Sequence, residues 1–266
     1  MKIAVSGKGG VGKSTIAAAI ALALARRGER VLALDTDPDA NLAAALGIME
    51  PVTPISQRVA LIEERTGAKV DGYGQVFKMN PRVDDVAGLY AVSRGGVDLL
   101  VLGGAQKGGG GCACAENSFV RALVSDLVLF KRETLVMDME AGIEHLGRAT
   151  ASGVDVMIIV VEPGRRAVDC ANAVLRMGGE VGIKRFLIVG NKVENAQDER
   201  FIADALAGWS IAAYMPYAQS LRAADRDGVS VLDAMTGAER AVIGRLLDQI
   251  DTHGAAVEPK GEGEAQ

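Results

Sequence analysis

The sequence predicts an α/β fold, one doubly wound and mostly parallel sheet with helices on both faces, and three observations predict it. Short apolar runs alternate with longer segments of helical period along the whole chain. Runs such as VDVMIIVV are apolar on both faces, as central parallel strands covered from either side must be. A glycine-rich segment, GKGGVGKST, separates the first strand-like run from the first helical one, where open parallel sheets place their ligands.

Taken in order, strands are expected over 2–6, 30–35, 97–102, 134–138, 154–161, 185–190 and 210–215. Helices are expected over 13–27, 59–66, 118–130, 143–152, 167–177, 198–207 and 231–252. The segment 50–96 is the least regular, and 253–266, which includes AAVEPKGEGEAQ, reads as a disordered polar tail. One domain over 1–252 accounts for the rest. The chain's 266 residues are 49% hydrophobic but only 4% aromatic, so the core must be built from Ala, Val, Leu and Ile.

A net charge of −5 argues against a protein that coats nucleic acid through bulk electrostatics. The longest apolar run, 16–25, is too short for a bilayer, which needs about 20 residues. The N-terminus reaches Gly and Lys too early for a signal peptide. Three cysteines, an odd number, point to reduced thiols. A soluble cytoplasmic protein with no membrane or nucleic-acid partner is expected.

In GKGGVGKST, Gly9, Gly10, Val11 and Gly12 let backbone N–H groups turn around phosphate oxygens at a helix N-terminus. Lys13 can neutralise the β- and γ-phosphates, and Ser14, followed by Thr15, can offer a hydroxyl to Mg²⁺. Gly7, Gly9 and Gly12 also fit the dinucleotide pattern G-x-G-x-x-G, with Asp35 ending the second strand. Lys13 and Ser14 decide for a nucleoside triphosphate, because a dinucleotide site has no use for them.

Lys8 goes beyond the generic loop. KGGVGKS, residues 8–14, resembles the deviant Walker A motif of the MinD, ParA and nitrogenase iron-protein relatives, P-loop NTPases of the SIMIBI type. The resemblance implies a homodimer in which Lys8 reaches the partner's nucleotide. It also makes ALDTDPDAN the first switch segment, with Asp37 positioning the attacking water, Asp35 supporting the Mg²⁺ shell and Asp39 structural. By residue type alone, that segment could equally be an Asp- and Pro-rich turn. LVMDMEAGIEH matches the Walker B strand and second switch, so Asp138 is implied to hold Mg²⁺. His145 stays open between a functional residue and a polar helix start. VGNKVENA and MPYAQSLRAADRDGVSVLD resemble the base-side segments, implying that Asn191 contacts the adenine edge with Pro216 and Tyr217 near the ring, and Lys192 is counted with them among the nucleotide-binding residues. Glu194 follows Val193 where the GTPase pattern N-K-x-D has its Asp, so ATP is expected.

GGGGCAC places Cys112 and Cys114 one residue apart. Neighbours two apart on a helix face different sides, so a shared metal needs a non-helical stem, which the glycines favour. The helix expected from Ser118 should lower the thiol pKa values. Two thiolates make an incomplete zinc site, and a two-fold axis could complete an S₄ set. A buried pair or a redox pair are the rival readings, the latter strained as a disulfide. Cys170 in RRAVDCANAVL falls on an apolar helical stripe and reads as core.

C-x-C between the two switches, with VVEPGRR and EAGIEH, resembles the carbon monoxide dehydrogenase accessory ATPases of the CooC type from residue 1 to about residue 251. That resemblance implies an ATP-hydrolysing maturation factor that binds Ni²⁺ or Zn²⁺ at the dimer-interface cysteines, with carbon monoxide dehydrogenase as client. Ala115 stands where relatives often carry proline. A [4Fe–4S] electron donor, as in the nitrogenase iron protein, and a MinD- or ParA-like positioning ATPase are the alternatives.

Overall fold

The structure, a computed structural model, describes residues 1–37, 39–69, 76–103, 114–141 and 148–251. Eight strands form one sheet: β1 (Lys2–Ser6), β2 (Val31–Asp35), β3 (Val92–Arg94), β4 (Val97–Val101), β5 (Thr134–Asp138), β6 (Val156–Val161), β7 (Phe186–Val193) and β8 (Ile211–Pro216). Their spatial order is β3-β4-β2-β5-β1-β6-β7-β8, and every pairing is parallel except β3 with β4. The helices are α1 (Lys13–Arg26), α2 (Leu42–Ala45), α3 (Val59–Thr66), α4 (Val86–Tyr90), α5 (Cys114–Leu129), α6 (Arg148–Ala151), α7 (Arg165–Val181), α8 (Ala196–Ala205), α9 (Gln219–Asp227), α10 (Val231–Ala234) and α11 (Gly237–Asp251).

From β1 the chain passes through α1 to β2, in one direction across the sheet. From β6 it passes through α7 to β7, in the other. Right-handed crossovers therefore put α1 and α7 on opposite faces, and the strand order reverses beside β1. The carboxyl end of β1 is thus the place where a ligand can enter between diverging elements.

The expected core composition holds. Residues 16–22 of α1 are at most 3% exposed, and four of those seven are alanine. Small side chains let α1 lie close to β1, β2 and β5 while α2, α10 and α11 cover its outer side. Phe119 of α5 is fully buried, one of few aromatics in an aliphatic interior. No helix among the described residues is long and apolar enough to cross a membrane.

Several elements differ from expectation, the short helices α2 and α4 among them. Edge strand β3 was not expected, since its three residues are all exposed and carry no apolar alternation. The helix expected over 231–252 is two, α10 and α11, because Met235 is extended (ψ 140°). Thr236 and Glu239 then exchange hydrogen bonds, Thr236 N–H to Glu239 Oε2 at 2.7 Å and Glu239 N–H to Thr236 Oγ1 at 3.3 Å, which starts α11 with a capping box. Helix α9 occupies a stretch read only as a base-side loop. Helix α5 begins at Cys114 rather than Ser118. The tail 253–266 and the first half of the helix expected over 143–152 lie outside the described residues, and its second half holds α6.

Candidate functional site

Between the end of β1 and the start of α1 the chain makes a glycine loop that only glycine can make at two points. Gly7 has φ +149°, and a Cβ there would stand 2.3 Å from the Val160 carbonyl oxygen of the neighbouring strand β6. Gly12, at the helix start, has φ +97°, and a Cβ there would stand 2.3 Å from Asn191 Nδ2. Within the loop the Val11 N–H donates to the Lys8 carbonyl at 3.3 Å. Lys13, 6% exposed, holds its Nζ 3.3 Å from Asp37 Oδ2.

Sheet register supplies the carboxylates. In the β2–β5 pairing Asp35 stands opposite Asp138, so both close their strands side by side, fully buried. Asp35 Oδ1 accepts the Asp37 N–H at 3.1 Å and Oδ2 accepts the Leu42 N–H at 3.0 Å, which ties the loop after β2 to the strand end. Burial still pushes its pKa up to about 6, against the pull of those N–H groups. Burial raises Asp138 further, to about 7, with the Ser14 hydroxyl pulling it down and Asp35 pushing it up. Neither Asp138 carboxylate oxygen has a partner within ordinary hydrogen-bond geometry, so the Ser14 hydroxyl acts on it from beyond that geometry. An acceptor-only group with two orphaned oxygens beside Ser14 fits a hard divalent cation such as Mg²⁺.

On the other side, β7 overruns its partner: the β7–β8 register breaks between Gly190 and Val193, and Lys192 adopts φ +58°. That irregularity turns two side chains onto the glycine loop. Asn191, 6% exposed, donates from Nδ2 to the Val11 carbonyl at 2.7 Å, and Lys192 Nζ donates to the Gly10 carbonyl. Lys192 Nζ also lies 3.2 Å from Glu162 Oε2, and Lys8 Nζ lies 3.7 Å from Glu162 Oε1.

A cavity of about 590 Å³ runs from this loop to the end of β8. Gly9, Gly10, Gly12, Lys13, Ser14 and Thr15 line one end, with Asp37 and Asp39 beside them. Pro216 and Tyr217 line the other, with Leu221, Val229 and Val231 from the α9–α10 region. A polar, N–H-rich end and an apolar end suit a nucleotide's phosphates and base respectively. The apolar contribution of α9 and α10 was missed, and its signal was the single apolar residues Leu221 and Val229 set in a polar stretch.

Residues 2–231 match the CobQ/CobB/MinD/ParA nucleotide binding domain. The chain belongs to that family. Among curated relatives of this nucleotide-binding family, the carbon monoxide dehydrogenase accessory protein CooC of Rhodospirillum rubrum is 40% identical over 257 residues, 94% of this chain and 97% of CooC. An uncharacterized ATP-binding protein of Methanocaldococcus jannaschii is 40% identical over 220 residues, 82% of this chain and 85% of that protein. Two solved structures share the fold. A chain of the MinC:MinD cell division complex of Aquifex aeolicus gives a TM-score of 0.68 at 21% identity, covering 96% of this chain and 98% of its own. A ParA family ATPase of Chlorobium tepidum gives 0.67 at 20% identity, covering 94% and 97%.

Within the MinD/ParA family domain, the structure gathers the expected nucleotide residues around one cavity, except Val11, whose side chain is fully buried and does not line it, with Asp35 and Asp138 buried behind. Lys8 is not part of the lining and is held by Glu162, a residue the sequence reading did not single out. Asp39, which lines the cavity, donates its backbone N–H to Asp37 Oδ1 at 3.1 Å. Cys170 is half-buried and packs against the core. Cys112 and His145 lie outside the described residues, and Cys114 is described in its backbone alone, as the first residue of α5. A non-helical stem was expected to reach past Cys114, so this start for α5 corrects that expectation. Among the described residues no group of three or more His, Cys, Asp or Glu stands ready to hold a metal.

Proposed function

We propose that this chain is an ATP hydrolase that serves the maturation of carbon monoxide dehydrogenase, carrying nickel or zinc on Cys112 and Cys114 at the seam of a homodimer. One observation carries the reading: 40% identity to a carbon monoxide dehydrogenase accessory protein, continuous over 97% of that protein's length. A shared nucleotide domain alone would leave the client open. Near full-length similarity extends it to the segments outside the nucleotide loop.

The chemistry follows from the residues around the cavity. Loop N–H groups and Lys13 hold the triphosphate, and Lys13 must leave Asp37 to do so. Asp138 and Ser14 hold Mg²⁺, with Asp35 behind them; when bound, the ion neutralises charge that builds on the phosphate oxygens. Asp37, released from Lys13, orients a water whose oxygen attacks the γ-phosphorus in line. The bond from that phosphorus to the bridging oxygen breaks, ADP departs, and the water's proton leaves with the phosphate or through Asp37. Lys8 leaves Glu162 and reaches the partner's phosphates, so triphosphate joins the two subunits. Cys112 and Cys114 from each subunit then meet as four thiolates around one ion. The metal is cargo, and hydrolysis separates the ligands.

The test is transfer. Protein loaded with nickel and ATP is added to nickel-free carbon monoxide dehydrogenase, and recovered enzyme activity is measured. Activation that requires ATP and both cysteines supports the reading. Activation equal to that by free nickel, or retained in Cys112→Ala, refutes it.

A further inference from the structure

The family resemblance assigns Asn191 to the base, yet one of its two amide N–H donors is engaged elsewhere. Nδ2 reaches the Val11 carbonyl at 2.7 Å, in a side chain only 6% exposed. Next to it, Lys192 Nζ donates to the Gly10 carbonyl. Two consecutive residues at the end of β7 therefore grip two consecutive carbonyls of the glycine loop.

A planar trans peptide points its carbonyl and its N–H to opposite sides. Fixing the Val11 carbonyl toward Asn191 fixes the Gly12 N–H away from it. Gly12 is the residue at which the loop enters α1, so that N–H belongs to the positive end of the helix. The fit is reciprocal and tight, since any Cβ at Gly12 would stand 2.3 Å from the same Nδ2. Without the Asn191 amide, the Val11 carbonyl loses a buried donor, and the Gly10–Gly12 segment, with positive φ at Gly10 and Gly12, is free to turn its peptides.

We infer that Asn191 is a positioning residue for the phosphate loop, which presets the Gly12 N–H for the triphosphate and acts on every phosphate ligand whatever its base. The inference rests only on the nucleotide-binding part of the proposed function and is independent of the metal and the client.

Three ligands separate loop positioning from base reading: ATP, inosine triphosphate and inorganic tripolyphosphate, each with Mg²⁺, competed against a fluorescent ATP analogue. In Asn191→Ala all three should weaken by one common factor, about tenfold, the scale of a lost buried hydrogen bond. The ratio of ATP to inosine triphosphate affinity should stay at its wild-type value. Asn191→Asp keeps the shape but sets an acceptor against the Val11 carbonyl, so it should weaken tripolyphosphate more than Asn191→Ala does. Thermal unfolding of each variant checks that it folds, and the Asp variant carries the test if the Ala variant does not. Tripolyphosphate affinity unchanged in either variant, with ATP weakened and the purine ratio collapsed, overturns the inference. A wild-type chain that binds none of the three overturns the nucleotide reading beneath it.

Discussion

Lys13 Nζ lies 3.3 Å from Asp37 Oδ2, so the lysine proposed to serve the phosphates and the carboxylate proposed to serve the water neutralise one another. Lys13 is almost wholly enclosed, which makes an uncompensated charge there costly. On the proposed reading, a bound triphosphate would replace Asp37 with phosphate oxygens and free the carboxylate. Asp37→Asn should therefore leave ATP affinity equal or tighter while kcat falls by about 10²- to 10⁴-fold, the usual range for a lost group that handles the nucleophile's proton. Steady-state hydrolysis and equilibrium nucleotide binding, measured on the same preparation, check the split. Equal losses in both would contradict it.

Asp138 and Asp35 set a pH dependence whose sign is fixed by burial. Their folded pKa values, about 7 and about 6, stand above the ordinary value of 3.8. The folded state thus keeps protons that the unfolded chain has released, and the metal-free fold loses stability as pH rises from about 4 to about 7. The loss is on the order of a few kcal/mol for the pair. Mg²⁺ needs the ionised carboxylates, so its stabilising effect should grow over the same window. Thermal unfolding at pH 5 and pH 8, with and without Mg²⁺ and nucleotide, reads both trends. Asp138→Asn should flatten the metal-free slope and remove the Mg²⁺ effect.

Glu162 holds Lys8 and Lys192 at 3.7 Å and 3.2 Å on its two oxygens. All three side chains are part-exposed, so each pair contributes at most about 1 kcal/mol. If Lys8 must leave Glu162 to reach a partner, Glu162→Gln should tighten ATP-dependent dimerisation by up to about fivefold. Lys8→Ala should abolish dimerisation without removing ATP binding. Sedimentation velocity across a concentration series distinguishes these; weaker dimerisation in Glu162→Gln would show that the carboxylate supports the paired state instead.

Gly12→Ala combines a left-handed backbone at φ +97° with a Cβ 2.3 Å from Asn191 Nδ2. It should lower stability by about 1–3 kcal/mol and eliminate nucleotide binding. In the double variant with Asn191→Ala the clash is gone and the backbone strain is not. Denaturant unfolding should then recover only part of the loss.

What could be read from sequence followed from how strongly each segment's physics was expressed locally. Central strands such as β6, apolar on every position, and α1, with its unbroken apolar run, declare themselves within a few residues. The phosphate end of the site was legible because glycines, Lys13 and Ser14 are adjacent in the chain. Edge strand β3 was not, since an exposed strand needs no apolar pattern. The base end was only partly legible, because α9 is strongly charged and contributes its apolar residues one at a time. The α10–α11 break had a readable signal, the T-x-x-E of Thr236 and Glu239, outweighed by the apolar period that runs through it. The bracing of the loop by Asn191 and Lys192 depends on a register break between β7 and β8, and no local pattern announces such a break.

The central claim is a triphosphate-clamped pair of subunits whose seam holds one metal ion on four cysteines. Native mass measurement of anaerobically purified protein with ATP, Mg²⁺ and Zn²⁺ or Ni²⁺, with metal analysis of the same species, tests it most directly. The account predicts a dimer carrying one transition-metal ion, lost in Cys112→Ala while nucleotide stays bound. A single chain that binds ATP and Mg²⁺ yet carries no transition metal would contradict it.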